Sequence, residues 1–361
     1  VIFAEDDQRI LSCSTDGSLH EWEDSKVDRN LVSREAQFVM DIALSGNEKL
    51  LLSAHIDGSA RLWDVVKRRE LRIFSSTAGM MASAISTDGQ WIAYGGGGWP
   101  LGSSPGRVWV CRTHQLDSPR LLYEAPLIVW AAEFQPHTHN LATTDGRQIR
   151  LWNMSTGREE MSLEGHAGMV RQLAYSPDGT ILVSAAMINE NQPRGEAKVW
   201  RTDSGECLAT FHDGASLYAV AVSPDGGQVA YAGQTARIFV RDIASGKMLH
   251  VLEGHPDSIF ALEFSPDGRR LASAGKDMLV KLWNVETGAC LLTWRYEGWL
   301  WTLRFSRDGK SLAVGELQEE RHGVVRWVEA RPERTLRELA ELRSTMTRIE
   351  TENQKARWSN R

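Results

Sequence analysis

Tryptophan recurs along this chain at a nearly constant distance, and any fold assigned to it has to account for that spacing. The segments Glu21-Trp22-Glu23, Leu62-Trp63-Asp64, Val108-Trp109-Val110, Leu151-Trp152-Asn153, Val199-Trp200-Arg201, Leu282-Trp283-Asn284 and Arg326-Trp327-Val328 share one pattern. Val240-Arg241-Asp242 sits in the double-length gap as a degenerate copy, so successive copies lie 41, 46, 43, 48, 41, 42 and 44 residues apart. A period of forty-odd residues marks a repeat architecture, in which one unit cannot bury its faces without neighbours. The 361 residues therefore read as copies of one unit followed by a different C-terminal segment.

Each period has the same internal order. A short apolar strand such as Ala261-Leu262-Glu263-Phe264 runs into a turn: Ser176-Pro177-Asp178-Gly179, Ser223-Pro224-Asp225-Gly226 or Ser265-Pro266-Asp267-Gly268. Weaker forms are Ser86-Thr87-Asp88-Gly89 and Ser306-Arg307-Asp308-Gly309. Proline presets φ for such a turn, and glycine supplies the positive φ that reverses the chain. A second strand at residues 270–274, the tryptophan strand and a fourth strand at residues 290–294 complete the unit. Short strands at even spacing with Gly-rich turns predict an all-β, antiparallel fold.

The Gly-His pairs Gly165-His166 and Gly254-His255, the Ser-Pro-Asp-Gly turns and the Leu-Trp-Asp/Asn endings recur together and in order. In this they closely resemble the WD-repeat β-propeller family, in a bacterial-type form, over about residues 1–328. The resemblance implies four-stranded blades arranged radially around a channel. It also implies a buried structural hydrogen-bond chain of His255, Ser273, Asp277 and Trp283, which supplies the indole N–H with an acceptor. Only the seventh unit carries that full set, and the sixth has Arg241 where tryptophan is expected. Aligning Trp22 with Trp283 sets Phe3 opposite Phe264, so the first unit opens on its innermost strand, while the eighth ends after three. Eight blades over residues 1–330 is the preferred count. Seven blades closed by residues 30–35, with the first unit left over, is the runner-up. Because Val1 is not Met and the chain opens inside a repeat, the sequence reads as a fragment of a longer chain.

Residues 331–361 form the second region. From 333 to 358 they lack Gly and Pro, and Leu339, Leu342, Met346, Ile349, Asn353 and Ala356 follow a 3-4-3-4-3 spacing. That predicts a short C-terminal α-helix, either amphipathic on the propeller's flank or self-associating as a short coiled coil. The tail carries eight Lys/Arg against five Asp/Glu while the whole chain has net charge −6, so the body is acidic. An acidic body argues against a broad nucleic-acid-binding surface, because phosphate neutralisation needs a basic face. No apolar run reaches the length of a membrane span. Cys13, Cys111, Cys207 and Cys290 stand far apart without metal-ligand spacing, which fits a reducing, cytoplasmic setting.

The sequence carries no GxSxG elbow, Walker loop or HExxH motif. Gly95-Gly96-Gly97-Gly98 reads as a long turn between the second and third strands of the third unit. His137-Thr138-His139 reads as an exposed turn without a third metal ligand. No catalytic residue, cofactor or metal is assigned. The favoured reading is a non-catalytic protein–protein interaction scaffold, the sensor or regulatory module of a larger signalling protein. The alternative is a propeller hydrolase or small-ligand binder using the central channel. In the family, turns between second and third strands open on one face, and here they are enlarged in the third unit (with Trp99), the fifth (with Arg194) and the eighth. Aligned on Phe260, the innermost strands carry Met40, Met81, Trp130, Arg171, Tyr218, Phe260 and Trp301, and aromatic, Met and Arg side chains are the types enriched in interface cores. The candidate partner-binding residues are Trp99, Trp130, Arg171, Arg194, Tyr218, Phe260 and Trp301. Trp99, Trp130, Arg171, Tyr218 and Trp301 are predicted to be largely exposed around one mouth of the channel.

Overall fold

A computed structural model describes the strands Ile2–Phe3, Arg9–Cys13, Leu19–Glu23 and Arg29–Leu31, and residues 39–329 apart from 48, 56, 65–66, 68, 99–103, 188–194, 214, 297, 306–308, 310 and 318–322. Among these residues every regular element is a β-strand, and no helix is long and apolar enough to cross a membrane. The predicted helix and the boundary near residue 330 lie outside the described residues. In chain order the strands form seven four-stranded antiparallel sheets and a last one of three, numbered one to eight below. Their first strands are Ile2–Phe3, Val39–Leu44, Gly79–Ile85, Ala132–Phe134, Val170–Tyr175, Leu217–Val222, Ile259–Phe264 and Trp299–Phe305. Arg29–Leu31 pairs with Leu19–Glu23, inside the first sheet.

The seventh sheet shows why the units take this form. Its second strand, Arg270–Gly275, is buried over five successive residues, and its third, Leu279–Asn284, over four. Antiparallel strands with both faces covered need a sheet on each side. On one side Ala272, Val280 and Leu282 pack with Leu300, Leu303 and Phe305 of sheet eight. On the other, Ile259, Leu262 and Trp283 pack with Ala219, Ala230 and Val240 of sheet six. Each fully buried Val, Leu, Ile or Phe among them contributes about 1.5–3 kcal/mol. The fourth strand, Cys290–Arg295, is mostly solvent-facing, so burial declines from the inner strands to the outer one.

The turns after the first strands repeat one geometry. Gly89, Gly179, Gly226 and Gly268 have φ between +70° and +72°. The turn serine donates to the Asp carboxylate two residues on, at 2.6 Å for Ser176–Asp178 and 2.5 Å for Ser265–Asp267. The same Ser265 hydroxyl accepts from the Arg270 N–H at 3.0 Å, stitching the turn to the second strand. His137-Thr138-His139 occupies this turn in sheet four, where His139 Nε2 lies 2.7 Å from Asp88 of the neighbouring turn.

The glycine run departs from its sequence reading. Gly95, Gly96 and Gly97 are not a turn; they are buried residues of the strand Trp91–Gly97. A Cβ on Gly96 would lie 2.0 Å from the Gly79 carbonyl oxygen, so the first strand comes too close for any side chain there.

Sheet six replaces the tryptophan with an ion pair. Arg241 Nη2 lies 2.8 Å from Asp213 Oδ2, its Nε donates to the Tyr231 hydroxyl at 2.8 Å, and its Nη1 donates to the Gly246 carbonyl at 2.8 Å. Tyr231 donates to Asp213, and the guanidinium lies 4.7 Å from the Phe211 ring centre. Asp213→Ala should therefore cost about 1–3 kcal/mol, because it strands a largely covered cation. Glu253→Ala, which breaks the exposed Arg237–Glu253 pair of the same sheet, should change stability by less than about 0.5 kcal/mol. Urea unfolding of the two variants checks the contrast.

Candidate functional site

The register of the first two strands breaks at one recurrent place. In sheets two, three, five, six, seven and eight the skipped residue is Met40, Met81, Arg171, Tyr218, Phe260 and Trp301. These are β-bulges, which bend a strand and re-aim the extra side chain. Sheet four reaches the same end differently: its first strand starts at Ala132, and Thr144 Oγ1 accepts from the N–H groups of Trp130 and Ala131 at 2.9 and 3.0 Å. The residue after the bulge turns to the next sheet instead. Asp41 accepts from the Ser83 N–H at 2.8 Å and its hydroxyl at 3.1 Å, and Gln172 accepts from the Val220 N–H at 3.0 Å.

The bulged side chains meet in two groups. Met81, Ile128 and Trp130 form one buried cluster with Met40 packed against it, so sheets two, three and four meet there. The Arg171 guanidinium of sheet five lies 4.6 Å from the Trp130 ring centre. Tyr218 and Phe260 of sheets six and seven lie 5.7 Å apart, tilted by 53°. Burial pulls the Arg171 pKa below its ordinary value, while Asp41, three sheets away, opposes that shift.

The predicted exposure needs correcting. Trp130 is not largely exposed: it is 8% accessible, packed with Met81 and Ile128 and covered by Arg171. Arg171, Tyr218 and Phe260 are partly buried. Trp99, Arg194 and the Trp301 side chain lie outside the described residues. Two exposed side chains on the same face went unnoticed in the sequence. Leu127, 39% exposed, precedes the first strand of sheet four and packs beside Gly146 in the turn between its second and third strands. Trp299, 37% exposed, opens the first strand of sheet eight, with Lys276 Nζ 5.5 Å from its ring centre.

The tryptophan strands are held by directional hydrogen-bond chains. Trp283 Nε1 donates to Ser273 Oγ at 2.8 Å, that hydroxyl meets His255 Nε2 at 2.7 Å, and His255 Nδ1 meets Asp277 Oδ2 at 2.6 Å. With Nδ1 protonated against the carboxylate, every donor in the series has an acceptor. Sheet seven is not alone in this, as the sequence suggested it would be. In sheet five Trp200 donates to Ser184 at 2.9 Å, His166 Nε2 lies 2.6 Å from Ser184, and Glu196 takes the aspartate's place 3.1 Å from Nδ1. In sheet two Ser53 links Trp63 to His55, and in sheet four Thr143 links Trp152 to the Tyr123 hydroxyl. Ser-His-Asp is also the order of a hydrolytic triad, but here the His255 and Asp277 side chains are 0% and 1% accessible. The serine hydroxyl that a substrate would need is engaged by an indole and an imidazole.

The family profile "WD domain, G-beta repeat" matches residues 29–64, 157–189 and 246–284, and the structure places a tryptophan strand at the end of the first and third stretches. These three stretches are WD repeats. It is 28% identical to human apoptotic protease-activating factor 1 over 239 residues, 62% of this chain and 18% of that protein. A periodic tryptophan protein 2 homolog from Dictyostelium discoideum is 26% identical over 276 residues, 74% of this chain and 28% of that protein. The pre-mRNA-splicing factor cwf17 of Schizosaccharomyces pombe is 30% identical over 111 residues, 31% of either chain. The chain thus spans under a third of the length of each of these relatives.

Two outcomes follow for the WD-repeat hydrogen-bond chains. Asp277→Ala leaves the His255 Nδ1 donor buried without its acceptor and should cost about 1–3 kcal/mol, read from the melting transition. In sheet five, burial holds His166 below its ordinary pKa of 6.5. Burial would raise Glu196, but hydrogen bonds from His166 and the Ala167 N–H outweigh that and hold it low. A histidine kept neutral in the folded state leaves the unfolded chain to bind the proton first, so stability falls as pH drops below 6.5. Glu196 adds its loss further into acid. Thermal melts from pH 7.5 to 5 should show this decline, and His166→Asn should remove its upper part.

Proposed function

We propose that this chain is an eight-bladed propeller that acts as a non-catalytic protein-interaction scaffold, binding a protein partner through the face carrying the bulged residues. The observation that carries this reading is the convergence of Trp130, Arg171, Tyr218 and Phe260 at one mouth, with Leu127 and Trp299 exposed on the same face. Large aromatic and Arg side chains held on rigid strands, with apolar neighbours in reach of solvent, are what interface hot spots are made of. The eight-blade count is supported by the first unit, whose four strands pair among themselves and whose second strand lies beside the second and third strands of sheet eight.

The relatives' names, an apoptotic protease-activating factor and a pre-mRNA-splicing factor, belong to proteins of large cellular processes. They fit a module that serves a longer chain, here read as the regulatory arm of a cytoplasmic signalling protein. Tyr218→Ala, Phe260→Ala and Trp299→Ala should each weaken partner capture by about 1–3 kcal/mol and leave the melting temperature nearly unchanged. Proximity labelling in cells identifies the partner, and a titration with each variant reads the loss. Full capture by all three variants would place the interface elsewhere.

A further inference from the structure

Arg171 stands out at the mouth for what it lacks. A guanidinium carries five N–H donors in its plane, and stacking uses only its face. The Trp130 ring covers that face at 4.6 Å. Among the described residues Arg171 donates to no acceptor and has no carboxylate at ion-pair distance. Asp41, whose charge it senses, turns one carboxylate oxygen to the Ser83 N–H and hydroxyl. Other carboxylates near this face are already engaged: Asp145 by Arg150, Glu196 by His166, Asp213 by Arg241 and Asp257 by Lys276. A partly buried cation whose donors are not taken up among the described residues, placed where apolar side chains meet, is a candidate site for an anion.

We propose that Arg171 receives the carboxylate of an Asp or Glu side chain in an extended segment of a protein partner, with flanking apolar residues of that segment lying over Met40 on one side and Tyr218 and Phe260 on the other. This rests on the reading that the bulge face binds protein. The planar fork matches a carboxylate through two parallel hydrogen bonds. A single guanidinium balances one negative charge, which suits a carboxylate better than a phosphate dianion. The chain's net charge of −6 likewise disfavours a polyanion such as nucleic acid.

The test is a selection of displayed random nonapeptides on the full 361-residue chain, followed by titration of the enriched peptides by fluorescence anisotropy. One position should be enriched in Asp or Glu, and changing it to Asn or Gln should weaken binding about tenfold or more to the wild-type chain. The same peptide change should have little effect on Arg171→Met, with Arg171→Lys in between. The acid dependence on the wild-type chain is read without any Arg171 variant, and the comparison uses Arg171→Met or Arg171→Lys only where the variant keeps the wild-type melting transition. Peptides that bind, depend on Tyr218 and Phe260, and show no acidic preference would overturn the anion site and leave the protein-binding face standing. Preference for phosphoserine over Asp, or acid dependence that persists in Arg171→Met, would overturn it as well. Enriched peptides indifferent to Tyr218→Ala and Phe260→Ala would remove both readings.

Discussion

Second strands buried along nearly their whole length in sheets two to seven set the terms for everything else in this protein. A sheet covered on both faces has no solvent side, so each one requires a neighbour before it and another after it. The side chains that satisfy this requirement cross between sheets. Tyr231 and Phe239 of sheet six pack with Val183 and Val199 of sheet five, and Trp200 packs with Leu151 and Leu163 of sheet four. Stability is therefore a property of stacked pairs, and substitutions in one unit act on the next.

The same stacking creates the indole problem and explains its several solutions. A tryptophan on the third strand is pressed between sheets, and its N–H needs an acceptor that water cannot supply. Ser273, Ser184, Ser53 and Thr143 provide that oxygen, and each hydroxyl then has its own proton to place. His255 and His166 accept it, His55 does so from the same strand, and Tyr123 comes from the preceding sheet. Where the indole is absent, Arg241 with Asp213 and Tyr231 fills the space with a network that satisfies itself. The packing fixes the shape to be filled and leaves the chemistry open.

Much of this could be read in the sequence because it is local. Tryptophan spacing, the Ser-Pro-Asp-Gly turns and the seventh unit's His-Ser-Asp-Trp set lie within one period, and each has a steric or hydrogen-bonding reason to recur. What could not be read depends on residues that meet only in three dimensions. Glu196 stands 30 residues after His166 and does not resemble the aspartate it replaces. The burial of Trp130 was missed because alternation is a poor guide near the start of the innermost strands. A bulge inserts one residue and inverts the parity of whatever precedes it, so the face of Met81, Arg171 or Phe260 cannot be counted from the strand that follows. The alignment found the right positions; the bulge set the side chains of the other sheets, and in sheet four the Thr144 hydroxyl holds the backbone of Trp130 and Ala131 instead.

Bulging also gives a physical reason for the proposed binding face to lie at this place and not on the outer strands. The bulged residue faces the centre while the residue after it can fasten the neighbouring sheet, as Asp41 does to Ser83 and Gln172 to Val220. The side chains at the mouth are thus presented by strands that are already tied together, and a partner that engages them loses little ordering entropy in the scaffold. Outer-strand apolar residues such as Ile73 and Val251 are more exposed, yet they sit singly on separate sheets and offer no common surface. Holding Arg171 partly out of water without a hydrogen-bond acceptor among the described residues opposes folding. A stack of mutually buried sheets can tolerate that cost, and under the proposal an incoming carboxylate would recover it at the moment of binding.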